Sequence, residues 1–120
     1  MKVIVTTVGP TLDSPVDPRF GRAAMFLLVD TETGAVSAHD NAQNLNAAQG
    51  AGIQAAEAAS RLGAKAVLTG HCGPKAFRAL HAAGIQIYLG ARGTAREAVE
   101  QFTKGLLKPA GAADVAGHWA

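Results

Sequence analysis

The sequence predicts an α/β domain: a mixed five-stranded sheet in the order 3-2-1-4-5, strand two antiparallel to the rest, with three helices. Three observations predict it. Short apolar, β-branched runs recur along the chain and read as strands. Alanine-rich segments with helical spacing separate the last of them. Glycines (Gly63, Gly84, Gly105) stand where each helix should end. The element order is β-β-β-α-β-α-β-α, a three-strand meander followed by two right-handed crossover units.

Lys2–Val8 forms strand one, and Gly9-Pro10 stops it. Thr11–Arg22 carries Pro15 and Pro18 and no periodicity, so it is a long loop, a kind that in compact domains is usually functional or disordered. Ala24–Asp30 is a continuous apolar strand two, Thr31–Gly34 a hairpin turn, and Ala35–Asp40 a weaker edge strand. Asn41–Gln49 is a second loop, rich in Asn and Gln. Gly50–Leu62 reads as a helix whose alanines allow close approach to the sheet. Lys65–Thr69 is strand four, short and apolar as a buried parallel strand should be. Pro74 suits the first position of helix two, which runs to Ala83 with Phe77 and Leu80 inward. Ile85–Leu89 is strand five, and Gly90–Gly93 is its exit loop. Thr94 and Glu97 have the spacing of a capping box for helix three, whose apolar stripe is Ala95, Ala98, Val99 and Phe102. One domain therefore spans 1–107, and 108–120, poor in bulk and periodicity, is a flexible tail.

In this order strands one and four are central neighbours whose connections leave in opposite directions. Ligands in open α/β sheets bind at the carboxyl ends of strands at such a switch point. The loops that emerge there carry Arg19, Phe20 and Arg22; His39, Asn41 and Asn44; Gly70, His71, Cys72, Gly73 and Lys75; and Arg92.

Each has a functional and a plainer reading. Cys72, near a helix start and flanked by His71 and Lys75, is biased toward thiolate, or else is a small hydrophobe in a tight turn. His71 is a metal ligand or a structural hydrogen-bonder. Lys75 in the first helical turn opposes the helix dipole, a mild misfit that an anion would compensate; otherwise it is a solvated lysine. Arg19 and Arg22 present planar forks to an anion, or pair with Asp13 and Asp17. Arg92 lies just before a helix start, again an anion geometry.

Composition narrows the classes. One cysteine excludes an internal disulfide framework and any site built from several thiolates of one chain. A net charge of +2 with scattered Lys and Arg and few aromatics argues against a nucleic-acid partner. No run approaches a membrane span and no signal peptide is evident, so the expected location is cytoplasmic. A phosphate-loop lysine motif is missing at Gly70–Lys75, and no acidic cluster suited to two metals is evident.

Asp17-Pro18-Arg19-Phe20-Gly21-Arg22-Ala23 after strand one, the Asn-containing segment before an Ala/Gly-rich helix, and the strand-Gly-x-x-Gly-x-x-Ala-Phe pattern at Gly70–Phe77 together resemble the nitrogenase iron–molybdenum cofactor carrier and biosynthesis family, over residues 1–105. The resemblance implies a ribonuclease-H-like three-layer fold. It also implies a non-catalytic carrier of a preassembled metal–sulfide cluster, molybdenum-containing and of molybdenum–copper or iron–molybdenum type. A cluster donor or acceptor protein is then a possible partner. Carried over by position, the anion-facing residues are Arg19, Arg22, His71, Cys72 and Lys75, with His71 and Cys72 the candidate metal ligands. A single thiolate cannot hold an iron–sulfur cube, whereas a cluster that brings its own sulfides needs charge complementarity, N–H donors and one labile ligand at most. Two other classes stay open: a nucleotide- or partner-binding regulatory module without metal, and a small hydrolase using Cys72.

Overall fold

The computed structural model describes residues 1–41 and 50–112. Its elements are β1 (Lys2–Thr7), β2 (Met25–Asp30), β3 (Val36–Asp40), α1 (Ala51–Arg61), β4 (Ala66–Leu68), α2 (Pro74–Ala82), β5 (Gln86–Tyr88) and α3 (Ala95–Thr103). The sheet order is β3-β2-β1-β4-β5, as the sequence predicts. β2 pairs antiparallel with both β1 and β3, while β1, β4 and β5 run parallel.

β1 sits at the centre because it is apolar on both faces: Val3, Ile4 and Val5 are all fully buried. Alternation along the strand sends Ile4 to one side, where it joins Val67 and Ile87 under α1 and α2. Val3 and Val5 go to the other, with Leu27, Leu68 and the alanines of α3. The result is three layers, helix–sheet–helix. α1 contributes Ala55, Ala56 and Ala59 to the core and α2 contributes Ala76 and Leu80, so small residues bring the helices close to the sheet. β3 is exposed along most of its length, as an edge strand whose neighbour lies on one side only.

The turns follow local chemistry. Gly34 adopts φ +78° to close the hairpin. There the Asp30 carboxylate accepts the N–H groups of Glu32 (2.9 Å) and Thr33 (3.3 Å). Those bonds, Glu32 foremost, hold the Asp30 carboxyl below its ordinary value. The capping box forms as predicted: Glu97 N–H donates to Thr94 Oγ1 at 3.2 Å, and Thr94 N–H donates to Glu97 Oε1 at 3.0 Å. Thr94→Ala is expected to destabilise the protein by about 1 kcal/mol, read as a lower urea midpoint with an unchanged slope.

The chain stays on the sheet past residue 107. Pro109 bridges Tyr88, and Ala110 N–H donates to the Ile87 carbonyl at 2.7 Å. β5 is an edge strand, and this short segment satisfies one of its outward carbonyls. The remainder of the predicted tail, 113–120, lies outside the described residues. No helix among the described residues is long and apolar enough to cross a membrane.

Candidate functional site

The carboxyl ends of β1, β3, β4 and β5 share one edge of the sheet, and the amino end of β2 joins them. Two loops meet there. His71 N–H donates to the Pro18 carbonyl at 2.7 Å, and Phe20 N–H donates back to the His71 carbonyl at 3.2 Å. This is a parallel bridge between Arg19 and His71. It fixes the loop after β1 against the turn after β4, residues more than fifty positions apart.

Four features build that contact. Gly70 permits it: a Cβ there would lie 2.8 Å from Pro18 Cα and 2.9 Å from Pro18 O. Phe20 anchors the loop from below. It is fully buried and stacks on Phe26 with ring centroids 5.6 Å apart. Asp17, almost wholly buried, accepts the Arg19 N–H on Oδ1 at 3.1 Å, an Asx turn that shapes the loop entrance. Asn41, just after β3, is buried too, and its Nδ2 donates to the carbonyls of Ala23 (2.8 Å) and Gly21 (3.4 Å). The side-chain amide thus ties the far end of the same loop to the edge strand.

The predicted site residues divide on this frame. Arg19 is half exposed, with its Nε 3.8 Å from Asp17 Oδ1, at the outer limit of an ion pair. Asp13 is turned elsewhere, 3.3 Å from the Arg96 Nε. Arg22 is half-buried, Lys75 is exposed in the first turn of α2, and His71 is half-buried at the rim. Phe20 and Cys72 point inward instead. Cys72 is fully buried with the core residues beneath α1 and α2, its thiol 3.6 Å from the Gly73 carbonyl. Asn44 lies outside the described residues.

Arg92 is on the next loop, which hydrogen-bonds to the turn through Gly90 N–H to Gly70 O and Ala91 N–H to Thr69 O, both 3.1 Å. Its side chain lines an open hollow of about 450 Å³ with Gln101, Leu106 and Lys108. The anion geometry expected there does not form. The first amides of α3 are taken up inside the protein, Ala95 N–H by Ser14 O at 2.9 Å, Arg96 N–H by Leu12 O at 2.8 Å and Glu97 N–H by Thr94 Oγ1. α2 differs. Its N-cap is Gly73, and among the described residues no side-chain cap hydrogen bond closes its start. Among the described residues, no three His, Cys, Asp or Glu side chains are grouped as a bound metal ion would require.

A family model described as dinitrogenase iron-molybdenum cofactor matches residues 1–105, nearly the whole described domain. The chain belongs to that family. Its fold closely matches the apo form of the orange protein from Desulfovibrio gigas, at 45% sequence identity and TM-score 0.93, covering 95% of this chain and 96% of that one. A putative NifB protein from Thermotoga is 32% identical with TM-score 0.83, covering 97% and 98%. An uncharacterized protein from Methanocaldococcus jannaschii is 27% identical over 101 residues, 82% of this chain and 86% of its own length. The family resemblance read from the Asp17–Ala23 and Gly70–Phe77 motifs is therefore correct.

What the motifs did not disclose is how they hold each other. Asn41 carries much of that work through its side-chain amide, and its place in the polar loop after β3 does not disclose that role. Asp17-Pro18-Arg19 did carry a readable signal, since Asp two residues before an N–H is the usual Asx-turn spacing.

Proposed function

We propose that this member of the family binds a preassembled, anionic metal–sulfide cluster, molybdenum-containing and of molybdenum–copper or iron–molybdenum type, and passes it on chemically unchanged. The observation that carries this reading is the bridge between the 17–22 loop and the 70–75 turn. It brings the exposed Arg19 against His71, on the turn that leads into α2 and its exposed Lys75. A thiometallate is a polarizable anion. Guanidinium forks and an ammonium complement its charge, and the positive end of α2 adds to them. Lys75 opposes that dipole by a few tenths of a kcal/mol when nothing compensates it, so an anion there relieves a local misfit.

Among the described residues, the candidate ligands at this edge are His71 and Cys72. His71 sits at the rim, whereas Cys72 is buried and would reach a guest only if the turn opened. The holding force in this reading is charge and hydrogen bonding, with ligation secondary, which also makes release to an acceptor protein easy. A guest held this way supplies its own sulfides.

The test is reconstitution. The purified protein is mixed with tetrathiomolybdate and a copper salt, desalted, and measured for visible absorption and for molybdenum and copper content. Coloured protein with a fixed molybdenum-to-copper ratio is the expected result. Colourless protein that instead shows calorimetric binding of nucleotides would replace this reading with a metal-free regulatory module.

A further inference from the structure

We infer that Thr6, together with Thr69, is the positioning pair that sets the distance between the two loops of the proposed site. The inference rests on the reading above for its ligand, though not for its geometry. Thr6 lies near the end of β1 and Thr69 just past β4, and both are fully buried. The Thr6 hydroxyl donates to the Asp17 carbonyl at 2.7 Å and shares a hydrogen bond with the Thr69 hydroxyl at 2.8 Å. Thr6 also accepts the Asp17 N–H on its own carbonyl, at 2.8 Å. One residue therefore grips the first residue of the 17–22 loop at two points and touches the residue that opens the 70–75 turn. Thr69 continues the chain of contacts: its N–H donates to the Tyr88 carbonyl and its carbonyl accepts from Ala91, both at 3.1 Å.

A valine in either place would suit a buried strand position at least as well. Two buried hydroxyls that satisfy each other and a loop carbonyl are a more demanding solution, because each left alone is costly. Their placement beneath the Arg19–His71 bridge gives that demand an effect. They pin both loops from the sheet side, so the rim cations keep their spacing before any ligand arrives.

Thr7 supplies the control. It is equally buried and its hydroxyl also donates to a loop carbonyl, that of Gly9 at 2.7 Å, but it makes no hydrogen bond to either loop of the site through its side chain. The experiment compares Thr6→Val, Thr6→Ser and Thr7→Val in the full chain. Each is scored for thermal stability, for amide exchange at His71 and Phe20, and for uptake of tetrathiomolybdate with copper. We expect Thr6→Val and Thr7→Val to lower stability similarly. Only Thr6→Val should speed exchange at His71 and Phe20 and weaken uptake about tenfold, the effect of one lost hydrogen bond. Thr6→Ser should restore both. Should Thr6→Val fail to fold, Thr69→Val takes its place with the same expectation. Unchanged exchange in Thr6→Val, or equal loss in Thr7→Val, overturns the inference. If the wild type takes up no cluster, the proposed function fails, and the exchange data still decide the positioning role.

Discussion

Replacing Arg19, Arg22 and Lys75 together with glutamine is expected to reduce uptake of tetrathiomolybdate with copper about a hundredfold. A solvent-screened cation at the surface or rim contributes about 1 kcal/mol toward an anion, so three contribute about 3 kcal/mol, which corresponds to roughly that factor. The three side chains sit at the surface or rim, with none in the buried core, so the melting temperature should hardly move. The same reasoning predicts that wild-type uptake weakens steeply with added salt and that the triple variant loses most of that dependence. Titration of each protein at two ionic strengths, followed by visible absorption, reads both quantities. Equal uptake by the wild type and the triple variant would show that charge does not hold the guest.

Gly70→Ala should damage stability and binding at once. The new Cβ would stand 2.8 Å from Pro18 Cα and 2.9 Å from its Cβ and carbonyl oxygen, closer than real Cβ atoms approach. Pro18 is backbone-bound to this spot through the 2.7 Å bond from His71 N–H, so relief requires the two loops to part. Overpacking of this kind costs about 1–3 kcal/mol. Parting the loops also breaks the reciprocal Phe20–His71 bond and widens the spacing of Arg19 from Lys75. Urea unfolding and cluster uptake should therefore fall together. Gly111→Ala is the control, since among the described residues its Cβ would meet nothing within 4 Å and its backbone needs no positive φ. It is expected to leave both measurements unchanged. A Gly70→Ala protein that unfolds earlier yet binds normally would separate loop spacing from function.

Much of this was legible in the chain because it depends on local chemistry. The strand and helix spans read from apolar period and glycine position agree with the structure to within a residue or two at most ends, and the Thr94–Glu97 capping box forms as its spacing indicates. Residues that share an edge through topology, Arg19 and His71 among them, could be grouped because strand order fixes which loops emerge together. Side-chain direction could not be read that way. Phe20 is grouped by sequence with the arginines of the site loop, yet Phe26 and the underside of that loop give it a buried place. Cys72 followed the same rule, since a small thiol at a tight turn fills core volume beneath two helices. Arg92 was grouped with an anion-binding helix start, and the loop at Leu12–Ser14 had already taken those amides.

By itself the sequence determined the α/β layering, the strand order and the family, because hydrophobic period, turn residues and short motifs are properties of neighbouring positions. Only the tertiary structure decided that Thr6, Asn41 and Gly70 hold the site together and that Phe20 and Cys72 belong to the core. The reason is physical: close approach, buried hydrogen bonds and side-chain burial depend on groups brought together from distant positions, and a local pattern contains no record of what will stand opposite.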